Sequence, residues 1–126
     1  MALKSYRDLT VWQRAVEMVE AVYRTSRFLP TDERFGLTSQ MQRAAVSVPA
    51  NIAEGYGRSH RKEYLRHLSF AMGSLMELET HLTIAQRLAF LTPQQAAPAW
   101  ELSQEVGRML NTLIVRLRSS DESSQS

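Results

Sequence analysis

Apolar residues recur at the spacing of an α-helix in four segments of this 126-residue chain, and no segment alternates as a strand does. The predicted helices cover about Leu9–Arg27, Leu37–Glu54, His60–Phe90 and a fourth segment that follows Thr92. Short connections between consecutive helices favour antiparallel neighbours. The sequence therefore predicts an all-α fold: an antiparallel up-down four-helix bundle over residues 1–118, followed by a polar, disordered tail at residues 119–126.

Each predicted helix carries an apolar stripe that we expect to face the core. In chain order the stripes are Trp12, Val16, Val19 and Tyr23; Leu37, Met41, Ala45, Val48 and Ile52; Leu65, Leu68, Met72, Leu75 and Leu82; and Ala99, Leu102, Val106, Leu110, Leu113 and Leu117. The third helix is apolar almost all round over LSFAMGSLMEL, residues 68–78. A helix of that kind is covered on more than one side, so we expect a second subunit against it.

The predicted helix ends rest on residues with known capping preferences. They are Ser39 with Gln42 as a capping box, Gly55 as a left-handed C-cap, Ser59 as an N-cap, and Thr92 as an N-cap followed by Pro93 in the first turn. The segment TDERFG between the first two helices predicts a turn with one helical turn of its own.

The sequence lacks the residue patterns of metal sites and of catalysis. A di-iron bundle needs paired Glu-x-x-His motifs, and none of the three histidines has an acid three residues before it. Glu63 with His67, and Glu77 with His81, have i, i+4 spacing and are interpreted as surface pairs. There is no cysteine, no Gly-x-Ser-x-Gly and no phosphate-binding loop. We predict a non-enzyme with no metal and no cofactor.

No stretch approaches the roughly 20 apolar residues that span a bilayer, and the N-terminus has no apolar core of signal-peptide type. We therefore expect a cytoplasmic protein without a membrane partner.

A proline and a polar stripe set the second helix apart. Pro49 lies inside the helical pattern, where it removes one backbone hydrogen bond at a cost of about 3 kcal/mol in an ordinary helix. It is explained either by a kink that follows the bundle or by a shaped interface. The polar stripe consists of Gln40, Arg43, Ser47, Asn51 and Glu54. A solvated face is one interpretation of it; hydrogen bonding between closely packed helices is the other.

A basic turn follows the second helix. Residues 58–67 carry net charge +3, from Arg58, Arg61, Lys62 and Arg66 against Glu63. Cations at a helix N-terminus oppose the macrodipole, so local stability does not explain them. Tyr56 and His60 are interleaved with these cations and have rings that stack on bases. The turn is interpreted either as a nucleic-acid site or as a solvated loop whose arginines pair with a neighbour's acids.

Three blocks, DLTVWQRA, GLTSQMQRAAVSVPANIAEGYGR and GSLMELETHL, resemble the signatures of the bacterial four-helix-bundle family encoded in intervening sequences of 23S rRNA genes. That family is similar to the accessory variability proteins of diversity-generating retroelements. The resemblance covers about residues 6–91 and implies a ring, typically a pentamer, with a nucleic-acid role. The motif positions it implies are Gln40, Arg43, Ser47, Pro49, Asn51, Glu54, Gly55, Glu77 and Glu79.

Taken with the residues, the resemblance leads to two predictions of function. The first is a non-catalytic homo-oligomer that binds structured RNA or other nucleic acid, with Arg58, Arg61, Lys62 and Arg66 on phosphates and Tyr56 or His60 on bases. The second is a scaffold that engages a partner protein. In either case we expect Arg43 or Asn51 to meet an acid such as Glu54, Glu77 or Glu79, within the bundle or the ring.

Overall fold

A computed structural model describes the backbone of residues 3–125 and the side chains of residues 3–119. The four α-helices are α1 (Thr10–Ser26), α2 (Leu37–Tyr56), α3 (Arg61–Arg87) and α4 (Pro93–Gln125). Short 3₁₀ turns at Tyr6–Asp8 and Thr31–Glu33 precede α1 and α2. No strand occurs within residues 3–125, so the predicted all-α class and the number of helices are confirmed.

Each helix packs on two others. The packed pairs are α1 with α2, α2 with α3, α3 with α4, and α4 with α1. Within residues 3–125 no close backbone approach joins α1 to α3 or α2 to α4. The helices therefore stand at the corners of a square and enclose one core.

The predicted core stripe of α2 is confirmed in its main part, since Met41, Ala45, Val48 and Ile52 have no exposed surface. On α3 and α4 the residues of the predicted stripes are either fully buried or packed at the core edge. Full burial of one leucine or isoleucine side chain contributes about 1.5–3 kcal/mol, so these stripes are the main source of stability.

The predicted stripe of α1 lies about one residue away from the centre of the buried face, although two of its members, Trp12 and Val19, pack against the core edge. The side chains that face the core are Val11, Ala15, Met18 and Val22. The predicted residues are half-buried or exposed; they are Trp12, Val16, Val19 and Tyr23. The small Ala15 at the centre of this stripe has no exposed surface. The bulkier Trp12 packs at the core edge, where its ring meets that of Tyr6 edge-on at 5.2 Å.

Two predicted N-caps are wrong and one is confirmed. Gly36 is the N-cap of α2, and Gln42 Nε2 instead donates to Ser26 Oγ at 2.9 Å. His60, not Ser59, is the N-cap of α3. At the start of α4, Gln95 N donates to Thr92 Oγ1 at 3.1 Å and Thr92 N donates to Gln95 Oε1 at 3.0 Å, so Thr92 caps the helix as predicted.

Gly55 is not a left-handed cap, because α2 continues through it to Tyr56 and none of the described glycines has positive φ. It is buried where α2 meets α3. A Cβ at this position would lie 2.8 Å from His67 Cβ and 3.0 Å from Tyr64 Cδ1. Gly55 is therefore required by the close approach of two helices.

The sequence predicts that the apolar segment of α3, residues 68–78, is covered on more than one side. On α3, Phe70 and Met76 are exposed, whereas Ala71 and Leu78 are buried within the chain.

The helix α4 extends to Gln125, although the sequence placed the end of the bundle at residue 118. The side chains of residues 120–126 lie outside the described part, so the disordered tail stays a prediction.

Within the described residues, none of the helices has the length and apolarity needed to cross a membrane.

Candidate nucleic-acid interface at the turn between α2 and α3

The turn between α2 and α3 presents its basic side chains to solvent. The exposed residues are Arg58, His60, Arg61, Lys62 and Arg66. The acidic residue among them, Glu63, is only half-exposed. The Arg66 guanidinium lies 5.5 Å from the centre of the Phe70 ring, which holds this cation along the outer face of α3. The predicted phosphate-binding residues therefore lie together at one end of the bundle.

The first turn of α3 lacks a side-chain cap. His60 has extended backbone dihedral angles, φ −112° and ψ 137°, and its side chain accepts no hydrogen bond from the helix. The free N–H groups of a helix start attract anions, and cations nearby add to that attraction. The arrangement is unfavourable for the isolated helix, whose macrodipole repels the cations, and becomes favourable when an anion binds.

The two aromatic residues predicted to stack on bases differ in position. Tyr56 is half-buried, and its ring meets the Tyr64 ring edge-on at 6.1 Å between centroids. Burial is the main cause that raises the pKa of Tyr64 to about 12, with a smaller contribution from Tyr56. The His60 side chain is exposed at the tip of the turn. His60 is therefore the better placed of the two for contact with a base.

The polar stripe of α2 forms hydrogen bonds with α3. Ser47 Oγ and Ser74 Oγ are 2.8 Å apart. Asn51 Nδ2 donates to Ser47 O and Ser47 Oγ, at 2.9 and 3.0 Å. His67 Nδ1 lies 3.2 Å from Asn51 Oδ1 and 3.5 Å from Glu54 Oε2. Both of these oxygens accept hydrogen bonds, so the two contacts suit the tautomer in which Nδ1 carries the ring proton. The centre of the stripe is thus an interhelical contact and not a solvated face.

The interpretation of both histidines as surface residues is wrong. His67 is buried and turns towards α2, so Glu54 rather than Glu63 is its acidic neighbour. His81 is also buried; its Nε2 lies 3.8 Å from Glu77 Oε1, and its Nδ1 has no hydrogen-bond partner among the described residues. No cluster of three or more potential metal ligands occurs among the described residues.

Neither Arg43 nor Asn51 contacts an acid directly among the described residues, so the predicted pairing is not formed in this part of the chain. Asn51 and Glu54 both face His67, which lies between the helices. Arg43 is exposed and forms no salt bridge with any described residue. Gln40 is exposed as well, whereas Pro49 is buried within the bundle.

Glu79 lies on the other side of α3. Its Oε1 accepts a hydrogen bond of 2.6 Å from Gln104 Nε2 on α4. Burial raises the pKa of this carboxyl, and the bond from Gln104 partly opposes the rise. This motif acid is therefore partly desolvated, and it forms no salt bridge with a cation among the described residues.

Sequence reasoning missed the partners of the motif on α3, His67 and Ser74. The spacing of polar residues in the sequence nevertheless indicates both of these partners. His67, Ser74 and His81 recur every seven residues, as Gln40, Ser47 and Glu54 do on the preceding helix. Two polar rows with the same period on consecutive helices indicate a shared seam.

This geometry defines the class: an all-α protein of four helices packed around one core, with a basic turn at one end. The family model described as 23S rRNA-intervening sequence protein matches residues 7–112. The chain belongs to this family. No curated protein matches it. The family match names no accessory variability protein, so that part of the resemblance stays a prediction.

A solved structure has the same fold. It is the crystal structure of a protein with unknown function from the S23 ribosomal protein family of Bacteroides thetaiotaomicron VPI-5482. The superposition has a TM-score of 0.77 and 24% sequence identity, and covers 83% of this chain and 98% of that chain. At this identity the likeness shows the fold alone.

Proposed function

We propose that this protein is a non-enzymatic homo-oligomer that binds structured RNA or other nucleic acid through the turn between α2 and α3. The observation that carries the proposal is the joint exposure of Arg58, Arg61, Lys62 and Arg66 beside a helix start that has no side-chain cap. Arginine and lysine contacts to phosphates supply most of the affinity in sequence-independent binding. The exposed His60 would add a stacking contact.

The proposed assembly is an antiparallel up-down bundle repeated in a cyclic ring, with a pentamer as the expected form. Two contacts support opposite directions for α2 and α3: Gly55 lies beside Tyr64 and His67, and Ser47 lies beside Ser74. Exposed Phe70 and Met76 on α3 support a further partner for that helix. A ring would present one basic turn per subunit, and repeated weak sites raise overall affinity steeply.

A protein-interaction scaffold is the second candidate. The exposed Phe70 under Arg66 favours it, because an apolar ring beside a cation also suits an acidic peptide. The absence of enzymatic activity and the cytoplasmic location are part of the proposal and rest on the sequence patterns alone.

The test is fluorescence polarisation of a labelled RNA hairpin and of duplex DNA, titrated with the full chain. In one variant Arg58, Arg61, Lys62 and Arg66 become alanine. In the matched control, four exposed arginines away from the turn become alanine: Arg24, Arg27, Arg34 and Arg108. Both variants lose four positive charges, so a difference in affinity between them shows that the position of the charges in the turn matters.

The proposal predicts that the turn variant loses at least tenfold in affinity and that the control stays within about threefold of the original chain. Equal losses would show attraction to overall charge only. No binding by the original chain even at low salt would contradict the proposal and favour the scaffold, which a pull-down with acidic peptides would then test.

A further inference from the structure

A groove between α3 and α4 combines apolar side chains with the carboxylate of Glu79. Its volume is about 460 Å³, and Met76, Ile84 and Trp100 line it together with Arg87. The three apolar side chains are 46%, 40% and 38% exposed. An apolar surface of this kind, rimmed by polar residues, is typical of a site where another protein surface packs.

Glu79 places a carboxylate in this groove that forms no salt bridge among the described residues, although the cation Arg87 also lines the groove. The Glu79 carboxylate is held by the single hydrogen bond from Gln104 and has no cation within 4 Å among the described residues. A carboxylate that has lost part of its hydration gains much from a cation brought to it, especially from a guanidinium, which binds carboxylates bidentately.

A second groove, between α1 and α2, carries an unpaired cation where the first carries the unpaired Glu79 carboxylate. Its volume is about 430 Å³, and its lining includes Tyr23, Arg43 and Val46. Tyr23 and Val46 are each 43% exposed. The Arg43 guanidinium is exposed and has no acid within 4 Å among the described residues. The groove therefore pairs apolar surface with an unbalanced positive charge.

The two grooves lie on opposite faces of the bundle. Since the helices occupy the corners of a square, the face between α1 and α2 is opposite the face between α3 and α4. Opposite faces that complement each other join copies head to tail, and such contacts close into a ring when the rotation between subunits allows it. A two-fold contact would instead bring like charges together, Arg43 to Arg43 or Glu79 to Glu79.

We propose that a second copy of this chain occupies the groove between α3 and α4, with its Arg43 bound to Glu79 and its Tyr23 and Val46 packed on Trp100, Met76 and Ile84. This inference rests on the proposed homo-oligomer and names the faces that build it. It also gives Arg43 and Glu79, two positions of the family motif, the oppositely charged partners that neither has among the described residues of its own chain.

The test is the mass in solution of the full chain and of charge variants, by sedimentation velocity and light scattering at matched concentrations. Arg43→Glu and Glu79→Lys each place like charges across the contact, whereas the double variant restores an opposite pair. Arg108→Glu on α4 is the control, because it reverses an exposed arginine that lines the separate groove between α1 and α4.

The original chain and R108E should have the same mass, a multiple of 14.4 kDa. R43E and E79K should each shift towards 14.4 kDa, with helical content retained, and the double variant should recover the assembly. If E79K loses helical content, Arg43→Gln and Glu79→Gln replace the reversals, and each should raise the dissociation constant of the assembly at least tenfold.

An oligomeric original chain whose mass is unchanged in R43E and E79K would overturn this interface and leave the proposed oligomer standing. Failure of the double variant to reassemble would overturn the charge pairing. A monomeric original chain at all concentrations would overturn both the interface and the proposed oligomer, whatever the outcome of the RNA titration.

Discussion

Replacing Gly55 by alanine should destabilise the chain through contact between α2 and α3. The new Cβ would lie 2.8 Å from His67 Cβ, 3.0 Å from Tyr64 Cδ1 and 3.2 Å from the Tyr64 carbonyl oxygen. Two of these three atoms belong to the backbone or lie next to it, so they cannot rotate away. Overpacking of this kind costs about 1–3 kcal/mol. It is opposed by the gain of about 1 kcal/mol for alanine over glycine within a helix.

Gly73→Ala is the matched reference, because Gly73 is also inside a helix but no atom lies within 4 Å of its added Cβ. The helix-propensity gain is common to both variants, so their difference in unfolding free energy isolates the overpacking. We expect G55A to be less stable than G73A by about 1–3 kcal/mol. Each kcal/mol corresponds to about 4 °C in Tm for a chain of this length.

Urea denaturation followed by circular dichroism measures this difference, at a concentration where both variants have the same mass. Equal stability of G55A and G73A would refute the close approach. Gly55→Asn gives a second distinction. A left-handed cap tolerates asparagine, whereas the tight contact between helices predicts that asparagine is worse than alanine.

Three further perturbations test other parts of the fold. Burial raises the pKa of Tyr64 from 10.0 to about 12, so the unfolded chain ionises first and stability should fall as pH rises from 10 to 12; Tyr64→Phe should lessen that fall, and equal urea midpoints below and above this range in the original chain would contradict it. Asn51→Ala removes the amide that hydrogen-bonds both Ser47 and His67 and should lower the unfolding free energy by about 1–3 kcal/mol, which an unchanged urea midpoint would disprove. Thr92→Ala removes the N-cap of α4 and should lower the unfolding free energy by about 1 kcal/mol, whereas a Thr92→Ser variant that retains the hydroxyl should keep most of it.

The helical spacing of apolar residues was enough to predict the fold class, and it failed where the stripe was ambiguous. In α1 the large residues Trp12 and Tyr23 mark one face, but the small Ala15 marks the face that packs. Hydrophobicity favours the larger side chains, whereas close packing between helices favours small ones. A sequence pattern reports the hydrophobicity of each position but contains little information about how closely two helices pack.

The candidate site was predictable in its charges and not in its contacts. The exposure of the basic turn follows from its composition, since Arg and Lys are rarely buried. The environment of His67 does not follow, because its hydrogen-bond partner Asn51 belongs to another helix. Gly55 was misassigned for the same reason: its position at the end of a pattern suggests a cap, and only the packed structure places His67 against it.

The salt dependence of RNA binding tests the central proposal most directly, because it counts the phosphates that the basic turn neutralises. The slope of log Kd against log salt concentration should be smaller in the variant that lacks Arg58, Arg61, Lys62 and Arg66 than in the original chain. Each lost phosphate contact lowers the slope by about 0.7–0.9, so we predict a difference of about 3 if all four cations contact phosphate. Equal slopes in the two proteins, with the same assembled mass, would contradict the assignment of the turn as a nucleic-acid site.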